Sequence, residues 1–389
     1  MSNAHESQCK LCQVGVGMEE GRTHVAVADE YGVSETSVRR HRTYLRERSE
    51  LEEAPVPQGA VPGADHVLAP YGLTHADMRV RGATVRDEVS GSWVRLVAKE
   101  ETPFVEDALL DELFREPISV PEWETSPHGS VLAMSDLQIG KAMERGGGTP
   151  ETLACVRAAV GKFVAKIKRE RPEAVALPDG GDIIENIFNT HAQASTNDLP
   201  VPHQIREARR ILAWTIRQVA PFTPRLIVPA VPSNHSEARS GIGISSGTSD
   251  ADYGLDINYA LEEIFEGREG FEHVEFVRPE PLDDTVVFEM AGTKIAVNHG
   301  YHSKGVHKHP EWWAKMDHGR RTGWDADILL MSHYHTFDVQ QSGDGRWIIS
   351  ASSPDPGSEW FSKMTGKASK RGLTMFSVRD GEWFDVGIL

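Results

Sequence analysis

Ala174-Val-Ala-Leu-Pro-Asp-Gly-Gly-Asp-Ile-Ile-Glu-Asn186 is a short apolar run that breaks at a proline and two glycines, then presents Asp182, Glu185 and Asn186. Short apolar runs bounded by turn residues read as buried strands. Polar side chains just beyond such a strand stand where open α/β sheets bind ligands. The same texture recurs on both sides. Ser130-Val-Leu-Ala-Met134 precedes Ser135-Asp136-Leu137-Gln138, and Leu226-Ile-Val-Pro-Ala-Val231 precedes Ser233-Asn234-His235-Ser236-Glu237. Lys294-Ile-Ala-Val297 precedes Asn298-His299-Gly300, and Ile328-Leu-Leu-Met331 precedes Ser332-His333-Tyr334-His335. Helical patterns fill 150–170, 203–220 and 254–265. This alternation predicts an α/β layered domain over about residues 129–389, with sheets flanked by helices.

Each strand-end residue alone is an ordinary cap or turn former. Five sets in succession point instead to a metal centre. Carboxylate, amide and imidazole donors without thiolate suit manganese, iron or zinc better than calcium. His333 and His335 face one side only if the backbone between them stays extended.

The series Asp136-x-Gln138, Gly181-Asp182-x-x-Glu185-Asn186, Asn234-His235-x-Glu237, His299-Gly300 and His333-x-His335 resembles the motifs of the calcineurin-like metallophosphoesterases, in their order. It resembles the nuclease-like branch, phage-encoded members included. The resemblance implies a layered metallophosphoesterase sandwich over 129–389. It also implies two divalent ions, manganese first with zinc or iron as alternatives, and phosphodiester hydrolysis by a metal-bridging hydroxide. By the same resemblance, Asp136, Gln138, Asp182 and His335 hold the first ion. Asn234, His299 and His333 hold the second, and Asp182 bridges. His235 sits beside the phosphate as a catalytic residue that, when protonated, stabilises the developing charge or protonates the leaving oxygen. Four positions depart from the family pattern. Gln138 stands for a histidine, Ser233 and Ser332 stand for glycines, and Ser236 displaces the acidic Glu237 by one place.

Residues 1–50 predict a small helix-turn-helix module. Val25, Ala28, Val33 and Val38 suit a buried face, Gly32 the turn, and Ser34 the cap of the second helix. Arg39, Arg40, Arg42 and Arg46 then make that helix basic, which suits DNA. Cys9, Cys12 and His41 are candidate ligands of a structural zinc, which needs a fourth; two ordinary thiols are the alternative. Residues 51–66 read as a Pro/Gly-rich linker. Residues 67–128 read as a small β-rich and connector region, with a hairpin at Met78–Arg86 and Ser92–Val97.

The chain has 389 residues, with 41 basic against 58 acidic for a net charge of −17. That excludes coating nucleic acid with the whole surface and leaves a local patch or bound cations. The loop 301–309 offers His302, Lys304 and His307 as candidate substrate contacts; a histidine-rich loop over core tryptophans is the alternative. With three cysteines, no apolar run of about 18 residues and no apolar leader, the expectation is a cytoplasmic protein off the membrane, in the host cytoplasm if phage-encoded. Oligomeric state has no signature here. The functional expectation is DNA hydrolysis, exo- or endonucleolytic. One rival is a small-molecule phosphatase or cyclic-nucleotide phosphodiesterase. Another is a DNA-binding regulator with an inactive scaffold, which Gln138 favours.

Overall fold

The computed structural model describes residues 11, 24–39, 41, 78–86, 93–98, 118–120, 122, 124–142, 147–187, 197–241, 244–245, 251–355 and 370–389. Two units divide the chain, Met1–Glu100 and Glu101–Leu389.

In the first unit, helix α1 (His24–Tyr31) stops at Gly32, whose φ of 56° is left-handed. The Val33 N–H reaches back to the Ala28 carbonyl at 3.1 Å, which closes the helix end as a Schellman motif. Ser34 Oγ accepts the Ser37 N–H at 3.1 Å and caps the helical residues 35–39. Leu11, Val27, Ala28 and Val38 bury together with Val33 packed on them. The Val25 side chain lies outside the described residues. His41 is buried, and Arg39 is exposed and paired with Glu35 at 2.9 Å. Cys9, Cys12, Arg40, Arg42, Arg46 and the 51–66 linker lie outside the described residues. Strands β1 (Met78–Arg86) and β2 (Trp93–Ala98) pair antiparallel, the hairpin that the alternating residues predict.

The second unit runs β3 (Ser126–Leu132), α2 (Thr149–Glu170), β4 (Pro172–Ala176), α3 (Val201–Val219) and β5 (Leu226–Pro229). A short ribbon follows, β6 (Arg239–Gly241) with β7 (Ile244–Ser245), then α4 (Tyr253–Phe265) and β8 (Val274–Val277). The remainder is β9 (Thr285–Met290), β10 (Thr293–Asn298), α5 (His309–His318), β11 (Ile328–Met331), β12 (Asp338–Gln341), β13 (Trp347–Ser350), β14 (Thr374–Arg379) and β15 (Glu382–Ile388). One sheet has six strands in the order β15-β14-β3-β4-β5-β8, and β3, β4, β5 and β8 are parallel. The other has five in the order β12-β13-β11-β10-β9, and β10, β11 and β13 are parallel.

Period-two alternation stacks these sheets. Val131, Ala174, Ala176 and Ile227 meet Ile295, Val297, Ile328, Leu330 and Ile349 between them. The alternate residues Leu132, Val175, Leu226 and Val228 face helices α2, α3 and α4. Leu153, Val156, Val160, Phe163 and Ile167 of α2 recur at three- and four-residue spacing and bury on that face. Ala296, Leu329, Met331 and Ile348 take Trp313 of α5 on the far face of the second sheet. The result is the layered α/β sandwich expected from the sequence. Among the described residues no helix is long and apolar enough to cross a membrane.

Candidate metal centre

Parallel strands deliver their C-terminal ends to one edge. The segments after β3 and β4 continue as a ladder: Asp136 N–H to Gly181 O at 2.9 Å, Gln138 N–H to Asp182 O at 2.8 Å, and Ile139 N–H to Ile183 O at 2.9 Å. The Asp182 N–H donates to Ser233 Oγ at 2.8 Å, so Ser233 ties the second segment to the third. From the other sheet, the His333 N–H donates to Asp136 Oδ1 at 3.1 Å. His299 Nδ1 bonds Gly180 O at 2.8 Å, and Ser353 Oγ donates to Asp136 O at 2.7 Å.

The site backbone is unusual. Asp136, Gln138, Asp182, Asn186, His333 and His335 all have positive φ, between 43° and 71°. Each such non-glycine residue costs about 1–3 kcal/mol, and such strain persists where the surrounding bonds hold it, as at binding sites. The positive φ values also overturn the extended-backbone condition set for His333 and His335. The two rings point to different partners: His333 Nδ1 lies 3.2 Å from His299 Nε2, and His335 Nε2 lies 3.5 Å from Asp136 Oδ1. Gly181 (φ 94°) must be glycine, because a Cβ there would stand 2.6 Å from His299 Nδ1 and from Ser233 Cβ.

Asp182, His299 and His333 each place a ligand atom within 4.8 Å of the others'. Asn234 Oδ1 joins them, 2.9 Å from His299 Nε2. Asp182 Oδ2 is 3.2 Å from His299 Nε2 and 3.9 Å from His235 Nε2, yet it is buried and accepts no well-formed hydrogen bond among the described residues. The Gly180 carbonyl claims a proton on His299 Nδ1, so in the neutral ring Nε2 carries the lone pair and aims it at these oxygens. Converging lone pairs around an unsatisfied buried carboxylate oxygen fit a divalent cation.

Titration tells the same story. Burial works against the His299 imidazolium, but the Asp182 carboxylate outweighs it and raises its pKa to about 9. Burial would raise Asp182, but His299 and His235 hold it well below the ordinary range. Burial, then the charge on His299, lowers His333 to about 4. A proton stands in for positive charge that the oxygens require.

A second cluster adjoins. Burial works against charge on His335, but Asp136 and Asp355 raise it to about 10. His335 Nδ1 lies 3.0 Å from Asp355 Oδ2, which also receives Lys141 Nζ at 2.8 Å. The same ammonium donates to Gln138 Oε1. Neither Lys141 nor Asp355 was singled out in the sequence. Asp355 follows a further apolar run, Trp347-Ile-Ile-Ser350, so a sixth strand end was there to read. Asp252 was missed too. It caps α4 through Gly254 N–H at 2.7 Å, accepts Ser233 N–H at 2.9 Å, and burial raises it to about 7.

His235 lies beside the first cluster. Its N–H donates to Asp182 Oδ1 at 2.9 Å, and its Nδ1 is 3.2 Å from Glu185 Oε2. Burial lowers its basicity, but Asp182 and Glu185 raise it on balance. Of the loop residues, His302, Lys304 and His307 are all exposed, and His302 stacks on Tyr301 with ring centres 3.8 Å apart. Tyr301 in turn lies 5.9 Å from the His299 ring.

No family model matches the chain, and no curated protein matches it. Solved structures similar to it include Vacuolar Protein Sorting 29 from Cryptosporidium parvum, at 15% identity over 67% of this chain and 97% of that one, TM-score 0.26. A conserved uncharacterized protein from Streptococcus pneumoniae, described as a predicted phosphoesterase, gives 13% identity, 65% and 84% coverage and TM-score 0.26. A purple acid phosphatase from yellow lupin, Lupinus luteus, gives 11% identity, 66% and 50% coverage and TM-score 0.33. Likeness at these scores fixes no activity for this chain.

Proposed function

We propose that this protein is a metal-dependent phosphoesterase whose substrate is a phosphodiester of DNA. The observation that carries the metal-dependent chemistry is the convergence of Asp182 Oδ2, Asn234 Oδ1, His299 Nε2 and His333 Nδ1 at the strand ends. These four residues would hold a divalent cation. When bound, the cation supplies Lewis acidity to the phosphoryl group and makes water at the site more acidic.

The chain's own groups do the rest. His235, its ring held by Glu185 at 3.2 Å and its pKa raised, keeps a proton to give to the leaving oxygen. Asp182 orients His235 through the backbone N–H and anchors the cation with its other oxygen. Arg239 braces the Asn234 carbonyl at 2.8 Å, which steadies the amide ligand. The exposed Tyr301–His302 pair beside His299 suits a stacked base. The Schellman-closed turn at Gly32 and the arginines from Arg39 onward support a duplex-binding role for the first unit.

The test is turnover by full-length protein with and without Mn²⁺ or Zn²⁺. Substrates are a chromogenic phosphodiester, the matching phosphomonoester, and labelled single- and double-stranded DNA. Metal-dependent cleavage of the diester and of DNA is expected. Turnover of the monoester alone would make it a small-molecule phosphatase. DNA binding with no turnover under any metal would leave a regulator on an inactive scaffold.

A further inference from the structure

The first-ion position is not furnished like the second. Gln138 stands where the family resemblance calls for an imidazole, and its Oε1 accepts a hydrogen bond from the Lys141 ammonium. That ammonium is also 2.8 Å from Asp355 Oδ2, a carboxylate whose side chain is 1% exposed. Lys141 is itself largely covered, at 17% exposure, and Asp355 is fixed from its other side by His335 Nδ1 at 3.0 Å. The ammonium is therefore a built part of the site.

An amide oxygen is a neutral ligand, and here one of its lone pairs is already directed at an N–H. A dication drawn to that oxygen would also meet a fixed positive charge within hydrogen-bond reach. By contrast, among the described residues no Lys or Arg side chain bonds Asp182 Oδ2, Asn234 Oδ1, His299 Nε2 or His333 Nδ1, and Arg239 reaches only the backbone carbonyl of Asn234.

We propose that the protein holds one tightly bound divalent cation, at Asp182, Asn234, His299 and His333. Lys141, clamped between Gln138 and Asp355, takes the place of the other ion. Asp136 and His335 then serve the ammonium-bearing half of the site, not a second metal. This rests on the metal-centre reading above and departs from the two-ion centre that the sequence resemblance implies.

The test is a metal count, independent of activity. Full-length protein, Gln138→His/Lys141→Met and His299→Ala are loaded with excess Mn²⁺ or Zn²⁺, desalted, and measured by plasma mass spectrometry against protein concentration. One ion per chain is expected in the wild type, two in the double variant, and none in His299→Ala. Two ions in the wild type overturn the proposal and leave the metal-centre reading intact. One ion in both the wild type and a folded double variant also overturns it, because Lys141 would not then be what excludes the second ion. No ion in the wild type defeats the metal-centre reading itself. Circular dichroism checks the folding of the variants, and the wild-type count decides even if the double variant misfolds.

Discussion

Asp182 serves two neighbours with its two oxygens: Oδ1 takes the His235 N–H and Oδ2 faces His299. Asp182→Asn keeps the shape and removes the charge, so the cation should be lost on desalting and turnover with it; retained metal with near wild-type turnover would exclude this ligand. His235→Ala should leave the bound cation in place and lower turnover by about 10²–10⁴. The loss should shrink for esters with good leaving groups, which need little protonation, and a uniform loss across leaving groups would argue against an acid role. As a ligand, His299 should set the pH dependence of metal binding. Its pKa of about 9 without cation means that ligation must expel a proton. Mn²⁺ affinity should therefore rise by about tenfold per pH unit from neutrality and flatten above about pH 9, as proton–metal competition at one site requires. A titration series that is flat with pH would remove His299 from the ligand set.

At the scale of elements, α5 carries a weakness of its own. His309 is fully buried at its first turn, with neither ring nitrogen hydrogen-bonded among the described residues, and burial lowers its pKa from 6.5 to about 4. The unfolded chain binds this proton near pH 6.5 and the folded chain only near 4, so stability falls as pH drops through that window. The contribution is on the order of 3 kcal/mol at most. His309→Phe should flatten the decline in melting temperature over that range; an unchanged slope would show that other groups govern it. The five strand-end motifs and three long helices were legible because apolar periodicity and turn residues agree there. Strands β14 and β15 went unread although Asp380-Gly381 joins them, both at positive φ, a two-residue hairpin turn with a plain sequence signature. Strands β8 and β12 have no fully buried residue, so they lack the apolar runs that marked the others. Lys141 was illegible for another reason: its role depends on Asp355, 214 residues away, which only the folded chain brings near.

At the scale of the whole molecule, all candidate ligands of the metal centre fall in Glu101–Leu389, and the arginine-rich segment from Arg39 to Arg46 falls in Met1–Glu100. Removing residues 1–100 should leave chromogenic diesterase activity. Binding to long duplex DNA should weaken, with a log–log salt slope smaller by about 0.9 per lost phosphate contact. If the first unit docks on protein instead, affinity and slope will both stay as they were. The stacked sheets share the metal centre. Asp182 and Asn234 extend from the six-stranded sheet, while His299 and His333 extend from the five-stranded one. An ion held there would rivet the two halves of the sandwich at their rim, and the sheets could not part without releasing it. Its grip is thus coupled to the docking of the sheets, and any binding energy it has for the closed sandwich adds to that sandwich's stability. Chelation would loosen the seam from one end. The escape rate of the ion would then set a ceiling on how often the sandwich opens.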